Sequence, residues 1–331
     1  MNILVIKQTS LGDVLHSTGH IRTIRENFPD SRITLLTATS SYDIYRHNPN
    51  IDDVILFERY RVKSDWYKHP LWAIQHISDV MRQVRSCDYD VAIDLQGRLK
   101  SVIFLYAAKA KRKIVKGNWW GLDGFRQREL HAIREMDEVL NKAGLVVNDT
   151  HMELHVSSVE RQKVKQLLTE INPGNKKLVI LSPFTRWPGK NWPLDHFAQF
   201  AKNLSEDMRA VFTGSDTDGA PIQKLLDSDS VLGVNLAGKL SLLEFAELVK
   251  QSSALLTGDS FPMHVAGAMG TPVIAVFGPT DEGRVGPVGR NAIVLRADDC
   301  DRCYRRSNCP KRCMERVSPK QVMESLLQVT G

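Results

Sequence analysis

The chain lacks any apolar run long enough to cross a bilayer: the longest, near Val102 to Ala108, falls far short of the ~20 residues that a spanning helix needs. It also lacks low-complexity tracts and a disordered tail, so linker and fibrous classes are excluded. The first apolar stretch, Ile3 to Ile6, is broken by Lys7 and then by Gly12-Asp13, which rules out a secretory leader there and makes a cytosolic protein the expectation. Cysteine is scarce: there are five in 331 residues, and Cys87 stands alone. A strong charge of one sign is missing too. The formal net charge of +6 favours an anionic partner only mildly, and nucleic acid, an acidic membrane surface or a phosphorylated substrate all remain compatible. What is present is ordinary for a soluble globular enzyme of two domains, 42% hydrophobic and 25% charged.

Strand-like runs alternate with helix-like ones along the whole length, which points to α/β architecture with parallel sheets. Strands are expected near 3–6, 33–36, 54–57, 91–95 and 113–115 in the first half, and near 178–182, 210–213, 234–236, 254–257 and 273–277 in the second. The polar stretch from Val147 to Asn175 holds one amphipathic helix and the crossing between halves. Two similar doubly wound units facing each other would leave a cleft lined by strand C-termini, where ligands of such sheets bind.

Two phrases carry the chemistry. Thr257-Gly-Asp-Ser-Phe-Pro-Met-His runs from a strand end through a polar turn into a helix whose first turn holds Pro262. Asp259 and Ser260 there, backed by the free N–H groups of a helix start and followed one turn later by His264, suit a ligand with sugar hydroxyls and phosphates. The bland alternative is a helix cap. Near the N-terminus, Thr9-Ser-Leu-Gly-Asp-Val-Leu-His-Ser17 follows an apolar strand, and Val14, Leu15, Thr18, Ile21, Ile24 and Phe28 then recur at helical spacing. Asp13 therefore falls at or beside a helix start, where the dipole stabilises its anion. It reads as a general base or as a cap.

Together these phrases resemble glycosyltransferase family 9, the ADP-heptose:lipopolysaccharide heptosyltransferases, whose fold is of the GT-B type with two Rossmann-like domains facing a central cleft. The resemblance covers nearly the full chain, with the motifs in order. It implies an inverting transferase that moves heptose from ADP-heptose to the Kdo or inner-core region of lipopolysaccharide, with no cofactor needed for catalysis and no nucleic-acid partner. Residues 1–155 would bind the acceptor and 156–318 the donor, and a helix at about 319–331 would return to the first domain. Asp13 of Ser-x-Gly-Asp-Val-Leu-His becomes the base that deprotonates the acceptor. Lys190 of Lys-Asn-Trp-Pro becomes the diphosphate contact, with Thr185 helping, and Asp216 or Asp218, Asp259, Ser260 and His264 complete the donor site. Asp94-Leu-Gln-Gly-Arg-Leu-Lys100 is closer to the branch that adds the first heptose, and Arg59, Arg61, Lys63, Arg98 and Lys100 would face the acidic sugars on lipid A at the inner face of a membrane. One departure is Phe261, where family members commonly have Gly, beside the donor. The alternatives are a GT-B enzyme with another donor, such as a UDP-sugar transferase or epimerase, and a non-catalytic two-domain sugar-binding protein.

Four of the five cysteines crowd into Cys300-x2-Cys303-x5-Cys309-x3-Cys313, with five arginines and lysines among them. The spacing permits one tetrahedral structural site for zinc or iron, and a cytosolic location disfavours disulfides. Four reduced thiols, or two disulfides, are the competing readings.

Overall fold

Short β-branched and leucine-rich runs, apolar on both faces, form the central strands, and amphipathic segments between them cover the faces. The computed structural model describes all residues except Gln127, Arg128, Asp229, Ser230, Arg290, Asn308 and Gly331. Contacts gather the chain into two compact units, Met1–His155 and Val156–Gly331.

The first unit runs β1 (Asn2–Ile6), α1 (Leu11–His16), α2 (Thr18–Asn27), β2 (Arg32–Ala38), β3 (Asp53–Phe57), α3 (Arg59–Asp65), α4 (Pro70–Arg85), β4 (Asp88–Asp94), α5 (Leu99–Ala107), β5 (Lys109–Lys116), β6 (Asp123–Phe125) and α6 (Ala132–Lys142). All its strand pairs are parallel, in the order β3-β2-β1-β4-β5-β6. Leu4, Ile6, Leu36, Val102, Phe104 and Val115 are fully buried in its core. The helix expected from Val14 to Phe28 is two helices, because the Ser17 hydroxyl turns back to the Val14 carbonyl oxygen at 2.7 Å and breaks the run. The stretch after α6 is tied to α2 by Arg22 to Glu153 at 2.6 Å and Asn27 to the Val146 carbonyl at 2.9 Å.

The second unit runs α7 (Ser158–Ile171), β7 (Lys177–Ser182), α8 (Leu194–Lys202), β8 (Met208–Phe212), α9 (Gly219–Ser228), β9 (Gly233–Asn235), α10 (Leu242–Lys250), β10 (Ala254–Gly258), α11 (Phe261–Met269), β11 (Val273–Phe277), α12 (Glu282–Val285), β12 (Ala292–Arg296) and α13 (Pro319–Thr330). Its sheet, also parallel throughout, is ordered β12-β11-β10-β7-β8-β9. Counting strands within each unit, both sheets have the same doubly wound order. The chain reverses direction across the sheet at β1/β4 in the first unit and at β7/β10 in the second, and ligands of such sheets bind outside the strand ends at that point.

The ten strands expected from the sequence are all present; β6 and β12 are additional. The helix expected at 319–331 is α13, which packs on α8, β10 and β11 of the second unit. Val322 and Leu326 enter the second unit's core, and the Trp192 indole N–H donates to the Val317 carbonyl at 2.8 Å just before it.

Candidate active site

Asp13 is the third residue of α1, following the loop that leaves β1. Its Oδ2 accepts from the Ser10 amide at 3.1 Å and from the Ser10 hydroxyl at 2.9 Å, so it does cap the helix. Capping and a second role coexist, because a carboxylate has lone pairs to spare. Burial works to raise its pKa, but Lys7, the two Ser10 donors and Lys116 together hold it below the ordinary aspartate value. It is ionised throughout the neutral range.

Around Asp13 the structure places Lys7, which the motifs do not include, and Asp94 and Gln96 of the Asp94–Lys100 phrase, to which the sequence assigns no role. Lys7, 2% exposed, ends the first apolar strand and donates from Nζ to the Leu95 carbonyl at 3.2 Å. Burial lowers its pKa to about 8, with Asp13 and Asp94 opposing that and Lys116 adding to it. Asp94, fully buried at the end of β4, is pushed up to about 6 by burial, although its carboxylate accepts from Ser101 Oγ at 2.7 Å and from the amides of Gln96 and Gly97. Gln96 Oε1 in turn receives the Gln8 and Thr9 amides at 3.3 and 3.0 Å and so fixes the loop that carries Asp13. The loops after β1 and β4 are thus one hydrogen-bonded unit at the first switch point. Its sequence signal was a lysine closing an apolar strand, which a hydropathy reading treats only as an interruption.

Of the five cations assigned to the acceptor, Arg59 and Lys63 on α3 and Lys100 on α5 come together: burial and then the positive charge of the other two depress the Lys100 pKa. Arg61 takes a different course, its guanidinium 4.1 Å from the centre of the Trp72 ring and its Nε 3.4 Å from Asp65. Arg98 is exposed at the N-cap of α5.

At the second switch point, Asp259 follows β10 and Lys190 lies in the loop after β7. Lys190 Nζ donates to Asp259 Oδ2 at 2.9 Å and to its carbonyl at 3.1 Å, and Thr280 Oγ1 donates to the same Oδ2 at 2.7 Å. The Trp187 ring lies beneath Lys190 Nζ, 4.7 Å away. Gly258 makes this closeness possible, since a β-carbon there would stand 2.5 Å from the Lys190 carbonyl oxygen. The Ser260 hydroxyl meets Thr257 Oγ1 at 2.9 Å at the start of α11, Phe261 is the first residue of that helix, and His264 is buried one turn on. Thr185 shapes the loop, its hydroxyl donating to the Trp187 carbonyl at 2.9 Å while its amide donates to Asn191 Oδ1. Asp216 is exposed on the loop after β8, whereas Asp218 is occupied by the Ser215 amide and hydroxyl, both at 2.7 Å.

Three of the four clustered cysteines converge nearby. Cys300 and Cys313 are buried and Cys309 is partly so, with 3.7 Å between the Cys309 and Cys313 sulfurs. Burial, together with Cys300 and Cys309, pushes the Cys313 thiol up to about 12. Cys303 is exposed, and among the described residues no group of three or more histidine, cysteine, aspartate or glutamate side chains stands in a geometry that could hold a metal ion.

The family description for glycosyltransferase family 9 (heptosyltransferase) matches residues 77–314, well over half of the chain. The chain is 26% identical over 326 residues to lipopolysaccharide heptosyltransferase 1 of Pseudomonas aeruginosa, covering 93% of this chain and 87% of that protein. It is 23% identical over 341 residues to lipooligosaccharide heptosyltransferase 2 of Campylobacter jejuni, covering 100% and 99%. Its fold is similar to that of the Escherichia coli heptosyltransferase WaaC solved with ADP, with a TM-score of 0.78 at 19% identity over 99% of this chain and 100% of that one. Two parallel sheets of one doubly wound order, each with charged residues at its switch point, and this match together show a glycosyltransferase of the GT-B fold, and the chain belongs to glycosyltransferase family 9.

Proposed function

We propose that the chain is an inverting transferase that moves heptose from ADP-heptose to an inner-core acceptor on lipid A. The observation that carries this is the Lys190–Asp259 pair at the second switch point, beside the N-terminus of α11. An arriving diphosphate competes with Asp259 for the Lys190 ammonium, and the freed carboxylate, still held by Thr280, is left to accept from sugar hydroxyls. In the reaction the acceptor O–H proton passes to Asp13, its oxygen bonds to the anomeric carbon, and the bond from that carbon to the diphosphate oxygen breaks with both electrons leaving on ADP. Lys190 meets the charge that develops on the leaving group. One displacement inverts the anomeric centre.

The relatives' names support heptose and a lipopolysaccharide acceptor, and the ADP solved with the E. coli protein supports the nucleotide. The cluster of Arg59, Lys63 and Lys100 supports an acidic acceptor. Among the described residues no helix is long and apolar enough to cross a membrane. Exposed Tyr60, Trp66 and Tyr67 on and just after α3 fit contact with a lipid surface from the cytoplasmic side. The test is transfer from ADP-heptose to a Kdo-bearing lipid A acceptor, in competition with UDP-sugars. Product formation that ADP inhibits and UDP does not is the expected result; preferential transfer from a UDP-sugar would overturn the donor assignment.

A further inference from the structure

The segment that carries the cysteines is stitched to both loops of the candidate donor site. The Tyr304 amide donates to the Pro279 carbonyl at 2.7 Å, one residue before Thr280, and the Gly189 amide donates to the Arg306 carbonyl at 2.8 Å, one residue before Lys190. The contact at Gly189 is tight, since a β-carbon there would stand 2.9 Å from the Arg305 carbonyl oxygen. The Arg306 guanidinium lies 5.1 Å from the centre of the Trp187 ring that also supports Lys190. Arg296 reaches the Gly278 and Thr280 carbonyls. Residues 304–306 are therefore a strap across the groups that hold Asp259, and thiols bracket it on both sides.

We propose that Cys300, Cys309 and Cys313, completed by Cys303, bind a thiophilic metal ion, zinc or iron, which fixes this strap against the loops of Lys190 and Thr280. Four thiolates at about 2.3 Å from a tetrahedral metal stand about 3.8 Å apart. The Cys309–Cys313 separation of 3.7 Å already has that length. Cys300 packs in the same cluster, its thiol donating to the Gly278 carbonyl at 2.9 Å while Arg296 Nη1 lies 3.2 Å from its sulfur. Binding breaks that thiol's bond to Gly278 and turns Cys303 inward. Cys303 lies between Arg302, whose guanidinium is held by Glu282 at 2.8 Å, and Tyr304, whose amide is held by Pro279, so its backbone stays beside the other three thiols and only its side chain has to turn. The step balances: four S–H bonds break, four protons pass to solvent and four metal–sulfur bonds form, so a divalent ion leaves a centre of charge −2 among the arginines and lysines of the segment.

The experiment has two arms, and only the second rests on the donor reading above. In the first, protein purified under reducing, chelator-free conditions is analysed for zinc and iron, then stripped and titrated with Co²⁺ alone. The proposal expects about one metal per chain, a cobalt–thiolate charge-transfer band, and at least a tenfold loss of metal affinity in Cys303→Ser, whose exposed position spares the fold. A metal content below about one tenth per chain with no such band, or intact Cys309–Cys313 disulfide by mass spectrometry, would overturn it. In the second arm, hydrogen exchange at Gly189 and Tyr304 and ADP affinity by calorimetry are compared with and without the bound metal. Slower exchange and at least threefold tighter ADP binding with metal are expected. Equal values in both states would overturn the strap and leave a metal site without this coupling.

Discussion

At the scale of single residues, charge and burial set the outcomes. Asp13→Asn keeps the size and most of the cap but cannot take a proton, so turnover should fall about a hundredfold or more while ADP affinity, measured by calorimetry, stays within about twofold. Near-normal turnover would remove Asp13 as the base. Lys190→Ala should weaken ADP binding and rate together, since the ammonium meets the diphosphate before and during transfer. It should also cost about 1–3 kcal/mol in urea unfolding, because Asp259, almost fully buried, loses its cation. Asp94 gives a pH signature. Its pKa is raised in the folded state, to about 6 from 3.8, so the native protein binds the extra proton between about pH 4 and 6 and this group's stabilising contribution is lost as pH rises through that window. Two units correspond to about 3 kcal/mol. Asp94→Asn, compared with the parent by urea unfolding at several pH values, should therefore gain relative stability by up to that amount from pH 4 to pH 6; a difference that does not change with pH would refute the assignment.

At the scale of elements, the central strands β1, β2, β7, β10 and β11 were legible because their apolar runs are buried on both faces, and β3, β5 and β9 because a short apolar run stands between turn or charged residues. β6, Asp123–Phe125, is three residues with no apolar run to detect. β12, Ala292–Arg296, has such a run but is an edge strand, half-buried throughout, with no motif to draw attention to it. The site was legible where a motif spelled it, at Asp13, Lys190 and Asp259. Lys7, Gln96 and Thr280 were not, since their roles arise from neighbours 88, 87 and 21 residues away. The placement of α13 is not legible for the same reason: its amphipathic pattern states that one face is buried, not against which sheet. Its docking makes a direct prediction. Leu326→Ala empties a fully buried position in the second unit's core and should cost about 2–5 kcal/mol, read as a lowered unfolding midpoint for that unit.

At the scale of the whole molecule, the cations Arg59, Lys63 and Lys100 share the first unit with exposed Tyr60, Trp66, Tyr67 and Leu71. Binding to anionic vesicles should follow, weakening as salt rises because exposed charges are screened over about 8 Å at physiological ionic strength. Replacing Lys63 and Lys100 together by Glu should abolish sedimentation with such vesicles while ADP affinity is unchanged; binding that persists would show that these residues do not form the contact. The position of α13 also bears on synthesis. The first unit is one continuous stretch ending at His155, so its sheet is complete before the second has left the ribosome. The second cannot close until its final helix emerges, because Val322 and Leu326 cover β10 and β11. At roughly 5–20 residues per second, a nascent chain spends some seconds with one half finished and the other half's core open to solvent, and chaperones should engage that second half.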